Sequence, residues 1–504
     1  MTETSLEEFL DWGSTRAVTP VVRRLFTDSE TPMGLYRKLS RGPGSFLLES
    51  ADQAGKWSRY SFLGVSIHGV LAQDGHQSIW RDHGMSETHA FGGAVPEGPL
   101  EALELIHRRW LSEPLPDLPP FAGGLVGHIG WEAVRLVEHL PSPPPASHEV
   151  PAMHLALVRD FVAFDHHSSE VVLVALTHSL DAVGEDQYQE ARARLDRMQA
   201  ALTQPTSSTL HHKSEPAEEA PQPSLDEAQF FDMVARAKRH IEDGDVFQVV
   251  LSQQFEFQVH ASPLEVYRVL RSVNPSPYMY LLECEDAGGN TYHVVGSSPE
   301  ALVTLQRGKV YSHPIAGSRP RGVSVDEDQS YADDLLADTK EQAEHLMLVD
   351  LARNDLSKVC LPGTVDVTEF MQVERFSHIM HLVSSVEGDL SLDKTAVDVF
   401  RATFPAGTLS GAPKPRALEI IDDLEPTQRG VYGGVVGYFG HTGDADLAIT
   451  IRTVWLQGSR AIVQAGAGIV ADSDPSSEYL ETIHKASAPA RALRIANALE
   501  PDQR

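Results

Sequence analysis

The sequence predicts an α+β fold of large antiparallel sheets with helices packed outside them, on three observations. Short strand-like apolar runs and helical patterns are mixed without the strict βαβ alternation of a doubly wound parallel sheet. Hydrophobic residues make up 41% and charged residues 22% of the 504, an ordinary globular balance that excludes a disordered, collagen-like or coiled-coil chain. At about 150 residues per domain the length predicts about three units, or one large and one smaller, and one segment has the composition of a linker. That segment, Thr203–Pro223, is rich in Pro, Ser, Thr and Glu and nearly devoid of large apolar side chains, so it lacks the surface to order itself by burial. It separates an N-terminal part, residues 1–202, from a C-terminal part, residues 224–504.

In the N-terminal part, Phe46–Ser50 and Val171–Leu176 read as strands and Gln187–Leu202 as a helix. Gly123, Gly124, Gly127 and Gly130 surround Val126 and Ile129 with no helix-start signal after them, which marks a close-packed strand rather than a phosphate loop. Leu140–Pro151 is a Pro-rich loop. The C-terminal part opens with Ser224 and Glu227 as a capping box, then Phe231, Val234 and Ile241 on one helix face and Gly244 at its stop. Val246–Val259 follows as a long strand. Ser262-Pro263 starts a helix through Val273, which Asn274-Pro275-Ser276-Pro277 ends. Further strands are expected at Thr291–Gly296, Val431–Phe439, Asp446–Leu456 and Arg460–Gln464. Further helices are expected at Tyr331–Leu351, Thr395–Thr403, Lys414–Asp423 and Pro475–Leu499.

Acidic residues number 71 and basic ones 41, a net charge of −30. A field of that sign repels nucleic acid and anionic membrane surfaces, and any anionic substrate must meet local cations or a metal. Two cysteines, Cys284 and Cys360, cannot build a disulfide framework or a zinc site. The acidic start, Met1–Glu8, lacks the basic-then-apolar pattern of a signal peptide, and the longest apolar runs are far too short to span a bilayer. A soluble cytoplasmic protein is expected.

Four groups of residues carry potential chemistry. Glu341 and Glu344 share one face of a predicted helix, and Glu478 and Glu481 repeat the spacing on the C-terminal helix. Either pair alone is most simply a solvated helix face. Four converging carboxylates in an acidic protein need a cation between them, and hard oxygen ligands suit Mg²⁺. His381, in the largely apolar run Val373–Val383, is either a general acid or base or a hydrogen-bonded core histidine. The turn Phe404–Lys414 opens a helix, but Gly407 and Gly411 are too close for a P-loop and Pro415 follows Lys414. Nucleotide binding is rejected there, and Thr408 either bonds a substrate or simply shapes the turn. Arg452, read on a strand, suits a carboxylate clamp or a structural salt bridge. Gly466-Ala467-Gly468, read after the next strand, admits close approach of a ligand or forms a bulge.

Taken in order, Pro314–Gly322 (PIAGSRPRG), Glu341–Asp355 (EQAEHLMLVDLARND), the His381 run, the Phe404–Pro413 turn and Ala465–Lys485 (AGAGIVADSDPSSEYLETIHK) resemble the chorismate-utilising enzymes. Among these they are most similar to the large subunits of anthranilate synthases. The resemblance covers residues 225–490 and extends more thinly into the N-terminal part through Leu47–Ser50. It implies that family's fold, with an N-terminal regulatory part interleaved with the catalytic one. It implies Mg²⁺ on Glu341, Glu344, Glu478 and Glu481, holding the ring carboxylate of chorismate. By the same resemblance His381 and Glu300 stand near the departing ring hydroxyl, Glu300 in acid catalysis, and Thr408 contacts the substrate. Gly317, Ser318, Ala467, Gly468 and Lys485 line the pocket, and Tyr432 and Arg452 bind the enolpyruvyl carboxylate.

Two positions separate the branches of the family. Water-adding members carry a Lys where this chain has Gln248, and a glutamine cannot deprotonate water. Aminodeoxychorismate synthases typically carry a nucleophilic Lys where this chain has Ala316. Ammonia is itself a nucleophile, so both positions favour amination to anthranilate, the first step of tryptophan synthesis. Neither cysteine has the Gly-flanked turn of a glutaminase nucleophile, and the resemblance implies a separate glutamine amidotransferase subunit that supplies ammonia, in a heterotetramer of two large and two small subunits. The resemblance further implies feedback inhibition by tryptophan. Its pocket would use Leu48, Glu49 and Ser50 with Asn274, Pro275, Pro277, Tyr278 and Met279, and Arg59 and Tyr60 more weakly.

Overall fold

A computed structural model of the chain describes every residue except 1–2, 41, 52–58, 117, 207–210, 213–220, 376–378 and 502–504. Twenty strands join in one sheet system, and its pairings are antiparallel throughout, as the sequence predicts. The N-terminal and C-terminal parts share it. Phe46–Glu49 pairs with Tyr278–Glu285, setting Leu47 opposite Leu281. Gly124–Ile129 pairs with Val435–Gly440, setting Gly127 opposite Gly437. A Cβ on Gly127 would sit 1.9 Å from the His154 carbonyl oxygen, and one on Gly437 would sit 1.9 Å from that of Asp446. The glycines are there because the neighbouring strands leave no room for a side chain.

Alternation along the strands feeds two apolar clusters. Phe46, Tyr280 and Tyr292 point into one with Phe121, Phe161 and Trp455. Leu47, Leu281 and Val295 point into the other with Phe255, Tyr267 and Val454. Helices cover the outside, among them Glu185–Leu202, Pro263–Val273 and Pro475–Asn497. Among the described residues no helix is long and apolar enough to cross a membrane.

Several boundaries differ from the sequence reading, each for a local reason. The helix expected from a Ser224 cap starts at Glu227, capped by Asp226 with Gln229; Ser224 instead bonds Gln254 on the adjoining strand. The helix expected over Tyr331–Leu351 is two, Val325–Ala337 and Thr339–Ser357, because the Asp338 carboxylate caps the amides of Lys340 and Glu341. The strand expected over Asp446–Leu456 is also two, Ala445–Ile449 and Thr453–Gln457, interrupted at Arg452 with φ of 50°. The strand expected from Val431 begins at Val435, after a turn. The strand expected to end at Gln464 runs to Ile469, so Gly466–Gly468 lies within it. Of the Thr203–Pro223 segment, residues 207–210 and 213–220 lie outside the described residues. His211–His212 pairs with Glu500–Pro501, and Pro223 bridges Phe255.

Candidate active site

Glu300 sits between two strand ends. The Ser298 hydroxyl donates to its carbonyl and accepts its N–H, and the Ile449 N–H donates to the same carbonyl at 3.0 Å. Its carboxylate accepts from the Thr408 hydroxyl at 3.3 Å. Thr408 lies on the one-turn 3-10 helix Gly407–Leu409 of the glycine-containing turn. Burial pushes the Glu300 pKa up to about 7, against the Thr408 donor and the charges of Lys485 and Arg452. A carboxyl half-protonated near neutrality is suited to general acid work.

Arg452 is the residue that breaks its strand. Its carbonyl is held by the Ser297 N–H at 3.3 Å, and its charge is felt by both Glu300 and His381. Burial lowers its own pKa, opposed by Glu300. An internal guanidinium with a positive φ fits a fixed anion clamp.

His381 lies on Ile379–Asp389, opposite Ser318 on Ile315–Pro320, whose register shifts between Ala316 and Ser318. Gly317 takes up that irregularity with φ of 67°, and its carbonyl lies 2.9 Å from His381 Nδ1. A Cβ there would stand 3.0 Å from a Glu341 carboxylate oxygen, so the glycine brings the histidine strand against the glutamate helix. Burial lowers the His381 pKa and Arg452 lowers it further, while the Gly317 carbonyl opposes both. The ring is therefore neutral near pH 7; Nδ1–H donates to Gly317, and Nε2 is its proton acceptor. Ser318 itself is exposed.

Each of the four glutamates has a partner from the protein. Arg319 reaches Glu341 at 3.4 Å while pairing with Asp334 and Asp338. Gln248 donates to Glu344 at 3.4 Å. Lys485 Nζ lies 2.6 Å from Glu481 and 3.1 Å from the Gly466 carbonyl. Burial, then Glu344, raises the Glu341 pKa. Burial raises that of Glu478, opposed by Ser473, and the charge of Glu481 adds to the rise. Mutually repelling, half-buried carboxylates on two helices suit a hard divalent cation in donor type. Among the described residues, no three side chains of metal-ligating type are gathered as a ligand shell.

The strand Arg460–Ile469 runs beside Tyr432, Gln248 and Lys485. A Cβ on Gly466 would stand 2.9 Å from the Tyr432 hydroxyl, and one on Gly468 would stand 2.6 Å from Gln248 Nε2. Ala467 is buried between them. Arg319, two residues from Gly317, was not singled out from the sequence; its place in the run Pro314–Gly322 was the available signal.

The residues expected to hold an inhibitor divide between two strand faces. Leu48 packs with the Phe46 cluster, whereas Met279 packs with Leu47. Glu49 points to the Leu47 side and is buried, bonded by the Tyr267 hydroxyl, by Ser61 at 3.3 Å and by Arg271 at 3.5 Å. Its carboxylate is thus engaged within the protein. The Ser50 hydroxyl is buried, with no hydrogen-bond partner among the described residues. Tyr278 donates to Asp446 at 3.0 Å, and Asn274 to Ser297 at 3.0 Å. Pro275 is exposed and Pro277 half-buried at the turn.

A family model described as chorismate binding enzyme matches residues 70–491. The chain is 50% identical to anthranilate synthase component 1 of Arthrobacter globiformis over 98% of its own length and 93% of that protein's. It is 46% identical to the protein of the same name in Mycolicibacterium smegmatis, over 98% and 94%. Among solved structures, anthranilate synthase component I of Streptococcus pneumoniae superposes with a TM-score of 0.74 at 34% identity, over 92% and 98%. The menaquinone-specific isochorismate synthase of Escherichia coli shares the fold, with a TM-score of 0.69 at 17% identity, over 95% of each chain.

Proposed function

The chain belongs to the chorismate-binding enzymes, in the anthranilate synthase component 1 family, and from that premise we propose that it aminates chorismate with ammonia and eliminates pyruvate to yield anthranilate. The observation that carries the reading is one electrostatically linked group. Glu300, bonded to Thr408, lies within the fields of Arg452 and Lys485, and Arg452 acts also on a neutral His381, while Gln248 and Ala316 stand where other branches place a lysine. Ammonia bonds to ring carbon 2 as the carbon 4 hydroxyl leaves, protonated by Glu300 and oriented by His381. Arg452 and Tyr432 hold the carboxylate of the enolpyruvyl group; loss of the carbon 2 proton breaks the carbon 3–oxygen bond, the ring becomes aromatic, and the departing enolate takes a proton at its methylene carbon to become pyruvate. Gly317, Ser318, Ala467 and Gly468 shape the walls, and Lys485 adds positive charge. Glu341, Glu344, Glu478 and Glu481 would hold Mg²⁺, which when bound supplies Lewis-acid neutralisation of the ring carboxylate.

Both cysteines are buried and free, and burial pushes the Cys360 thiol up to about 11 and that of Cys284 higher. Neither suits a glutaminase nucleophile, so ammonia from glutamine requires a separate amidotransferase subunit, in a two-plus-two heterotetramer. Tryptophan is the inhibitor, bound where Leu48–Ser50 meets Asn274–Met279. The buried Ser50 hydroxyl, without a partner among the described residues, and Tyr278 supply the contacts there, and Glu49 fixes the strand through Tyr267 and Arg271. Because the two segments come from opposite parts of the chain and pair directly, binding there shifts the balance between arrangements of the two parts.

The test is the purified chain with chorismate, Mg²⁺ and an ammonium salt, followed by anthranilate fluorescence and chromatography, with and without tryptophan. Anthranilate and pyruvate from ammonium but not glutamine, suppressed by tryptophan, are expected. Titration calorimetry with Mg²⁺ should show binding that Glu341→Gln weakens. Isochorismate, aminodeoxychorismate or no product would overturn the assignment.

A further inference from the structure

Behind the pocket wall lies a buried ion pair that takes no part in the chemistry above. Glu425 follows the helix Lys414–Leu424, and Arg429 precedes the turn that carries Tyr432. Their side chains are 2% and 1% exposed. Glu425 accepts from Arg429 Nε at 2.9 Å and Nη2 at 2.7 Å, and from the Ser252 N–H and hydroxyl at 2.7 and 2.8 Å. The guanidinium also reaches beyond the pair. Nη1 donates to the Leu409 carbonyl at 2.7 Å and Nη2 to the Val250 carbonyl at 2.9 Å. Leu409 follows Thr408, and Val250 is the register partner of Gly468. The guanidinium carbon lies 5.6 Å from the Tyr432 ring centroid.

One planar fork therefore ties together three segments that line the pocket, which a lysine, with a single nitrogen, cannot do. The group is covered by Trp131, whose ring centroid is 4.1 Å from the guanidinium carbon and whose backbone N–H donates to the Gly430 carbonyl at 2.8 Å. Trp131 comes from the N-terminal part.

We propose that Arg429 is a positioning residue that fixes the Thr408 turn and Tyr432 against the strand facing Gly468, with Trp131 of the N-terminal part as its lid. The proposal rests on the reading that Thr408 and Tyr432 contact chorismate. Steady-state kinetics for chorismate and ammonium, with circular dichroism, test it in full-length Arg429→Lys, Arg429→Gln and Trp131→Leu. Arg194→Lys serves as the control, another buried arginine, paired with Asp160 at 2.7 Å in the N-terminal part. Arg429→Lys should raise the chorismate KM by about tenfold or more while the ammonium KM stays within about twofold. Trp131→Leu should move the same constant in the same direction by a smaller factor. Combined with Thr408→Ala, Arg429→Lys should lose less than the product of the two single losses, because the turn is already displaced. Arg194→Lys should lower thermal stability and leave both KM values in place. If the Arg429 variants do not fold, Trp131→Leu decides alone. An unchanged chorismate KM in the folded variants, or full multiplicativity with Thr408→Ala, overturns the proposal. If Thr408→Ala and Tyr432→Phe are each without effect on chorismate kinetics, the pocket assignment fails instead, whatever Arg429 does.

Discussion

At the scale of single residues, protonation sets what Glu300 can do. Its pKa is raised by burial to about 7, so the acid form dominates below that pH and is lost as pH rises through it. The rate should fall on the alkaline side with a limb near 7, and Glu300→Gln should remove the limb and lower kcat by about a hundredfold or more. Thr408→Ala deletes the donor that favours the carboxylate, so the same limb should move to higher pH. A pH profile of kcat for the three proteins checks both; a limb that persists in Glu300→Gln would assign it to another group. His381 and Thr408 were legible because they stand in the ordered run of motifs, and Glu300 and Arg452 only through the resemblance that the run establishes. Their states were not. Nothing in the sequence shows that Arg452 breaks a strand at positive φ, that Gly317 holds His381 by its carbonyl, or that Glu49 is engaged by Tyr267 and Arg271. Those facts come from distant segments, as do the carbonyl contacts of Arg429.

At the scale of elements, legibility followed how locally each element is determined. The helix Pro263–Val273 was readable to its ends because Ser262 and Glu265 form its capping box and Pro263 opens it. The strand Gly124–Ile129 was readable because four glycines without a helix start have few other uses. The break at Asp338 was missed because the helical pattern runs through it and only the cap distinguishes it. The strand ends around Arg452 were missed because apolar alternation continues across the turn. The glycine reading makes a quantitative prediction. Gly127→Ala puts a Cβ 1.9 Å from a backbone carbonyl that belongs to the next strand and cannot rotate away, so it should cost about 3 kcal/mol or more. Gly75→Ala, at φ of 58° with nothing within 4 Å of the added Cβ, should cost only about 1 kcal/mol of backbone strain. Urea denaturation of both variants orders them; equal losses would mean that strain and not crowding governs the Gly127 position.

For the whole molecule, the two parts meet through buried histidines as well as strands. His68 and His178 of the N-terminal part and His441 of the C-terminal part form a chain, at 3.0 and 3.1 Å. His128 bonds Tyr292 across the same junction at 2.7 Å, and His154 packs beside them. Burial depresses all five, those of His68, His128 and His441 to about 3 and the other two well below the usual 6.5. The sign follows from linkage. Unfolding lets these rings bind protons they exclude when folded, so their contribution is present above about 6.5 and is lost as pH falls toward 3. Between pH 7.5 and 5.5 a ring held at about 3 should cost about 1.4 kcal/mol, roughly 4 kcal/mol for His68, His128 and His441, and His154 and His178 act in the same direction. Glu300 at about 7 and Asp446 at about 6 act oppositely, since their folded pKa values are raised and acid favours the fold; together they return about 2 to 3 kcal/mol over that range. His148 and His293, held at about 4 by burial, act with the junction histidines, so stability should fall on acidification over that range by several kcal/mol, a large share of an ordinary domain's stability. Urea midpoints at pH 7.5 and 5.5 measure it, and His178→Gln, which cannot take up a proton, should flatten the slope by about one histidine's share. A midpoint that holds or rises on acidification would show that the carboxyls outweigh the imidazoles, and that the junction between the parts is not where acid acts.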